Sequence, residues 1–266
     1  MVAVVVIPIY KSELNPNEII SLKQCFKILG KHPIIFVAPE KLDVSHYEKI
    51  LGQKVKTERF DDFYFENISG YNHLMLSMAF YQRFLNYEYM LIYQLDCYVF
   101  RDELVDWCNQ DYDYIGAPWL DNSFYIKSRI EKFKFLIKQF FQIKNKDLRN
   151  KNILTYQVGN GGFSLRKISS FIKVLKYTDE RMLKRFKMND DSKSIHNEDV
   201  FWSFVADGIK KPNYKIASKF ALDLGADIGI RLNNANLPFG CHAWGKKYDY
   251  WKQYIKINEN SLNERI

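Results

Sequence analysis

Residues 89–100 read YMLIYQLDCYVF, and the fold turns on how this stretch is taken. Five residues, YMLIY, are apolar on both of the faces that a strand would present, the pattern of a strand covered on both sides of a sheet. The run passes straight into Gln94, Leu95 and Asp96. It therefore delivers a carboxylate at the C-terminal end of a buried strand, where open α/β sheets place their ligands. An unpaired carboxylate in such a place costs several kcal/mol, so Asp96 is expected to meet a metal, a sugar hydroxyl or a catalytic partner. The plainer alternative is an Asp that caps the next turn.

Working outward, residues 3–9 (AVVVIPI) form another continuous apolar run, residues 19–29 follow helical spacing up to Gly30, and residues 34–37 (IIFV) form a second buried strand closed by Pro39. Strand, helix, strand implies a right-handed parallel crossover. A weaker strand is expected near residues 55–60, a helix over about residues 69–85, strands at 112–117 (YDYIGA) and 158–165 (VGNGGFSL), and a helix over 200–209. No linker or repeat divides the chain. The expectation is one α/β domain over residues 1–266, a mixed and mostly parallel sheet flanked by helices.

The chain has 266 residues, 47% hydrophobic and 26% charged, which excludes disordered and low-complexity classes. Aromatics reach 16%, more than a core requires, as is common where flat rings of bases or sugars are stacked upon. Cys25, Cys97, Cys108 and Cys241 are too far apart for a CxxC pair or a zinc knuckle, and reduced thiols in a cytoplasmic protein are expected. Residues 2–10 lack a basic leader region and read as the first strand.

The net charge of +8 is concentrated. Residues 124–151 carry nine cations against Glu131 and Asp147, so the rest of the chain is nearly neutral. Within this segment Ile126, Ile130, Phe133, Ile137, Phe140 and Phe141 recur at steps of three and four, which predicts a basic amphipathic helical insertion. Three readings are open: a surface helix covering the core, a helix on an anionic membrane surface, and contact with nucleic acid. Basic residues spread over a platform would favour nucleic acid, and here they are not spread.

Three further stretches carry chemistry. In QVGNGGFSLRK (residues 157–167), Gly159, Gly161 and Gly162 surround Asn160 and let backbone approach a ligand closely, although a tight turn would also use them. No phosphate-binding lysine stands in register for a Walker loop. In HNEDVFW (residues 196–202), Asn197 can cap a helix whose first turn holds Glu198 and Asp199, favoured there by the helix dipole. In PFGCHAWG (residues 238–245), His242 lies between glycines, either a structural histidine or a ligand, and Trp244 offers a flat face for a sugar.

The apolar strand ending in Asp96 resembles the DxD element of the GT-A class of nucleotide-sugar glycosyltransferases, whose acids hold the divalent cation on the donor diphosphate. Here the third position is Tyr98, so one carboxylate stands where hard-cation chemistry favours more. In order along the chain, YNHLMLSMAFY, LDCYVF, DYDYIGAPW, GNGGFSLRK, NEDVFW and PFGCHAW also resemble a glycosyltransferase-like bacterial family catalogued largely as a domain of unknown function. That resemblance implies a GT-A, Rossmann-like fold. It implies donor contacts at Pro8, Ile9, Tyr10, Tyr71, Asn72, Ser77, Asp96, Tyr98, Asn160, Gly161, Gly162 and Trp244. NEDVFW is similar to the xED element of inverting GT-A enzymes, which implies Asp199 as the base, with Glu198 the substitute. A Mn2+ or Mg2+ ion would be held by Asp96 and His242, its presence put in question by Tyr98.

The activity so implied is transfer of a hexose-type sugar from a nucleotide-diphosphate donor, UDP favoured, to a hydroxyl of a glycan or lipid-linked acceptor in surface polysaccharide synthesis. The enzyme would be cytoplasmic or peripheral at the inner face of the plasma membrane, docked through residues 124–151, and would not bind nucleic acid. The rivals are a non-catalytic glycan-binding or scaffolding module on a decayed transferase fold, and a sugar-phosphate nucleotidyltransferase. The latter would need a basic Gly-rich loop after the first strand, which PIYKSELNP is not.

Overall fold

The computed structural model describes residues 2–121, 127–144, 151–188 and 195–255. Its main sheet contains β1 (Ala3–Pro8), β2 (Ile34–Pro39), β3 (Lys56–Phe60), β4 (Tyr89–Tyr93), β6 (Tyr114–Pro118) and β7 (Val158–Lys167), in the order β3-β2-β1-β4-β7-β6. The first four strands are mutually parallel, and β7 lies antiparallel between β4 and β6. The chain winds outward from β1 to β3 and then returns to lay β4 on the other side of β1. The order thus reverses between β1 and β4, which opens a crevice at their C-terminal ends. A second sheet has three strands of two residues each: β5 (Tyr98–Val99), β8 (Ala221–Leu222) and β9 (Gly240–Cys241), in the order β5-β9-β8.

Alternate side chains of the buried strands feed two cores. Val5 and Ile7 of β1 join Leu22, Cys25 and Leu29 of the helix Pro16–Leu29, while Val4 and Val6 meet Leu74, Met75, Phe80, Tyr81 and Phe84 on the other face. The helix Pro16–Leu29 begins at a reciprocal cap, in which Glu18 N donates to Asn15 and Asn15 N donates to Glu18, with Pro16 in the first turn. A third core around Trp244 and Trp251 lies beside the small sheet.

Three elements differ from expectation. The helix expected over residues 69–85 is two helices, Ile68–Met75 and Met78–Gln82, separated by an extended Ser77. Leu74, Met75 and Leu76 are all buried, as are Phe80 and Tyr81, and no straight helix buries that whole set on one stripe. The helix expected over 200–209 is a short α-turn, Glu198–Val200, that widens into a π-helical turn, Phe201–Val205. All five residues of that turn are buried, again more than an α-helical stripe accommodates.

The third is the basic helix Arg129–Lys144. Its apolar row does not cover the core. Ile130 is 69% exposed, Phe133 65% and Phe140 62%, whereas the side toward the protein carries Phe135, the buried Gln139 and Ile143. Periodicity located a stripe but not what the stripe faces. Ile126 lies outside the described residues.

Candidate active site

The small sheet brings three charged groups to one spot. In its register Tyr98 pairs with Cys241 antiparallel, and Leu222 pairs with Cys241 in parallel. Asp96, just before β5, Asp223, just after β8, and His242, just after β9, therefore emerge at the same end. His242 stands between the carboxylates, with Nε2 3.3 Å from Asp96 Oδ1 and Nδ1 3.4 Å from Asp223 Oδ1. The backbone supports this placement: His242 N donates to Leu222 O at 2.8 Å, and the next residue, Ala243, turns in the left-handed region at φ 52°. Such a backbone for a residue with a Cβ is strain held by the surrounding structure.

Burial opposes a charge on the imidazole, but hydrogen bonding and charge from Asp223 and Asp96 outweigh it and push His242 up to about 10. Burial alone would raise the Asp96 carboxyl, yet the adjacent imidazole holds it below the ordinary carboxylate range. Asp223 was not singled out in the sequence. Its signal is nevertheless present, since FALD at 220–223 repeats in miniature the apolar run into an acid seen at YQLD.

The chain of contacts continues onto β7. Asn160 Nδ2 donates to Asp223 Oδ2 at 3.0 Å, and Gly162 N donates to Asn160 Oδ1 at 3.1 Å. Side chains from other elements are packed against the glycines here. A Cβ on Gly162 would lie 2.3 Å from His242 Nε2, and one on Gly161 would lie 2.2 Å from Glu198 Oε1. The glycine run is therefore required by what leans on the strand.

Behind it sits a buried ion pair. Arg166 Nη2 donates to Glu198 Oε1 at 2.9 Å, with both side chains almost wholly inaccessible, and Arg166 also donates to the Tyr81 hydroxyl at 3.0 Å and to Ser164 Oγ at 3.0 Å. Glu198 N donates to Asn72 Oδ1 at 3.0 Å, fixing the start of the acidic turn. Glu198 is thus committed to Arg166, and the freer acid is its neighbour. Burial, together with the Glu198 charge, pushes Asp199 up to about 7, while Arg166 and His242 act in the opposite sense. Asp199 keeps a partial opening to solvent.

At the β1/β4 crossover point a cleft of about 420 Å³ is lined by Pro8, Ile9, Tyr10, Tyr71, Gln94 and Asp96, among others. Its walls are mostly apolar and aromatic, with Lys11, Glu18 and Glu66 also on the lining, and Asp96 joins it to the charged cluster. The Tyr71 hydroxyl is buried beside Gln94, which lines the same cleft.

The structure groups the sequence-derived candidates unevenly. Pro8, Ile9, Tyr10, Tyr71 and Asp96 share the cleft, and Asp96, Asn160 and His242 belong to one contact chain. Four candidates need correction. Trp244 is fully buried and packs against Tyr98 at 6.1 Å between ring centroids, so it presents no face to a sugar. Tyr98 itself is turned into that core; a tight turn at Gln94–Cys97 separates it from Asp96, so the two do not share a face as i and i+2 of one strand would. Ser77 begins the helix Met78–Gln82 away from the cleft. Asn72 is buried and serves Glu198 rather than the cleft.

A cation fits part of this set. One ligand atom each from Asp96, Cys97 and His242 lies within 4.8 Å of the others. Cys97 is buried and its thiol, pushed up by burial, donates to Gly162 O, which leaves Asp96 and His242 as ligands. Asp223 behind the imidazole is the carboxylate–histidine arrangement common at metal sites, and Asp96 Oδ1 is a buried oxygen that faces His242 Nε2 at 3.3 Å.

Residues 54–242 match the family described as protein of unknown function (DUF5672). The chain belongs to that family. Among curated proteins none matches it by sequence. Solved structures resemble it in fold. The apo form of mouse xyloside xylosyltransferase 1 aligns with a TM-score of 0.51 at 11% identity, over 91% of this chain and 98% of that one. An active-site mutant of LgtC aligns at 0.52 and 11%, over 90% and 86%. Core-mannan synthase A from Aspergillus fumigatus, in a Mn/GDP form, aligns at 0.51 and 10%, over 81% and 73%. These likenesses establish a GT-A, glycosyltransferase-like fold for this member of the family.

Proposed function

We propose that the protein is a glycosyltransferase that moves a hexose-type sugar from a nucleotide-diphosphate donor, a UDP-sugar in first place, to a hydroxyl of a glycan or lipid-linked acceptor in surface polysaccharide synthesis. The observation that carries this reading is the contact chain Gly162–Asn160–Asp223–His242–Asp96 opening onto the aromatic cleft at the β1/β4 crossover. The cleft suits a nucleotide, with Pro8, Ile9, Tyr10 and Tyr71 around it.

Transfer builds negative charge on the departing diphosphate, and fixed positive charge at that point lowers the barrier. His242, kept protonated by its two carboxylates, offers a charged N–H donor next to Asp96, although the three groups together carry a formal charge of −1. A divalent cation that displaced the Nε2 proton and was held by Asp96 and His242 would take the place of the imidazolium charge and supply Lewis-acid stabilisation of the same leaving group. Asp199, poised near neutrality, accepts the proton of the attacking hydroxyl, with Glu198 positioning it through the Arg166 pair. This pairing of a base with a stabilised leaving group favours inversion at the sugar carbon. The cytoplasmic face of the plasma membrane is the site of action when the acceptor is lipid-borne, and among the described residues no helix is long and apolar enough to cross a membrane.

Thermal-shift measurements with UDP, GDP and dTDP sugars, with and without Mn2+, test the donor. A stabilisation by one nucleotide sugar that Asp96→Ala removes supports the reading. Stabilisation by a glycan alone favours a binding module and overturns it.

A further inference from the structure

The helix Arg129–Lys144 is amphipathic in reverse. Its side toward the protein is held by a polar residue: Gln139, 3% exposed, donates to the carbonyls of Ile153 at 3.0 Å and Thr155 at 2.8 Å, and accepts from Gln157. Phe135 and Ile143 flank it on that side. The outward side carries Ile130, Phe133, Leu136, Ile137, Phe140 and Phe141, each 44% to 69% exposed. At 100° per residue the two rows lie roughly 140° apart. Lone exposed apolar residues are ordinary, but six in one continuous row are a docking surface.

The charges say what docks. The helix has five cations, Arg129, Lys132, Lys134, Lys138 and Lys144, and one acid. That acid, Glu131, is engaged at the helix start, where Ser128 N donates to it at 2.8 Å and Glu131 N donates to Ser128 Oγ at 3.3 Å. An apolar row bordered by cations matches the boundary between acyl chains and anionic headgroups. A second copy of the same face would oppose five cations with five more.

We propose that this helix lies in the plane of an anionic lipid surface, with Phe133, Ile137 and Phe140 entering the acyl boundary and Lys134 and Lys138 on the headgroups. The proposal deepens the lipid-linked acceptor reading and rests on it for its purpose, while lipid binding itself needs no catalysis. The Gln139 clamp grips the segment that leads into β7, so the docked helix is joined within a few residues to Asn160.

The test is sedimentation of the full chain with vesicles of phosphatidylcholine containing about one third phosphatidylglycerol, beside vesicles of phosphatidylcholine alone. Binding to the anionic vesicles is expected to fall roughly tenfold or more in Phe133→Glu/Phe140→Glu and in Lys134→Glu/Lys138→Glu, with unchanged Tm because these side chains are exposed. The four native cysteines are buried, so Phe140→Cys carries an environment-sensitive dye selectively, and its emission should shift to the blue on anionic vesicles. Absence of binding by the unmodified chain, equal binding by the variants, or an unshifted dye would overturn the proposal. So would a concentration-dependent dimer in sedimentation velocity that the Phe pair dissolves without altering vesicle binding. Because no sugar transfer is measured, these outcomes are separate from any failure of the transferase reading.

Discussion

Asp223 stands beside His242 because their preceding residues, Leu222 and Cys241, are register partners in a parallel pair of two-residue strands. The carboxylate meets Nδ1 and so turns Nε2 toward Asp96. Asp223 is also held by Asn160, which makes it the hinge of the contact chain.

Asp223→Asn keeps the volume and removes the charge that orients the imidazole. We expect donor turnover to fall by about 10- to 100-fold, the usual effect of losing such an outer partner. Steady-state kinetics together with a thermal-shift titration of the nucleotide decide it. Wild-type turnover would show that His242 holds its position without Asp223.

The rate should depend on pH through Asp199. With its carboxyl pushed up to about 7, the base is protonated below neutrality and ionised above it, so kcat/KM is expected to rise with pH along a limb centred near 7. Asp199→Asn should remove the limb and lower turnover by roughly 100- to 10,000-fold while nucleotide binding persists. Retained turnover would take the role of base from Asp199.

Stability should change with pH in the opposite sense through His242. Its folded value, about 10, lies above the ordinary value of 6.5, so the folded state holds the proton more tightly. The stabilisation is complete below about pH 6.5 and is lost as pH climbs through 10. Urea midpoints at pH 6 and pH 10 should differ more for the wild type than for His242→Gln; equal differences would show that the imidazole is not held charged.

Arg166 and Glu198 form a pair buried from both sides. Glu198→Gln or Arg166→Met leaves one charge alone in the core and should cost about 3–5 kcal/mol of unfolding free energy. Replacing both by apolar residues should recover much of that loss. A double-mutant cycle in urea measures it, and additive losses would mean that the two side chains do not act as a pair.

A methyl group at position 162 tests the packing of the glycine run. It would meet His242 Nε2 at 2.3 Å and Gln94 Oε1 at 2.7 Å. Gly162→Ala should displace the imidazole, abolish turnover and lower Tm, all of which Gly52→Ala on an open turn would not reproduce in activity. Kinetics of the two variants side by side separate the cases.

The long buried strands were legible because an apolar run of four to seven residues has few other uses: AVVVIPI, IIFV and YMLIY fall where β1, β2 and β4 are found. Asp96 was legible with them. Asp223 is harder to read, because β8 is two residues long and leaves only the short run FAL before the acid as a sign. Arg166 was hidden for a different reason. A cation at the end of an apparent strand reads as solvated, and only the fold supplies Glu198, Tyr81 and Ser164 around it. Trp244 misled because a tryptophan among glycines resembles a platform until its own core is seen. The GT-A resemblance carried the overall architecture; the small sheet behind His242 had to be seen.

The three strands of that small sheet offer one another only two register pairs at each junction. So slight a scaffold gains its rigidity from the opposite charges that it aligns, and those charges gain their alignment from it. Amide exchange at Cys241, His242 and Leu222 should accordingly slow together when a nucleotide enters and quicken together when Asp223 is neutralised, while β1 and β4 stay protected. Under the proposed transferase reading, ligand capture and local ordering would be a single event at this end of the molecule.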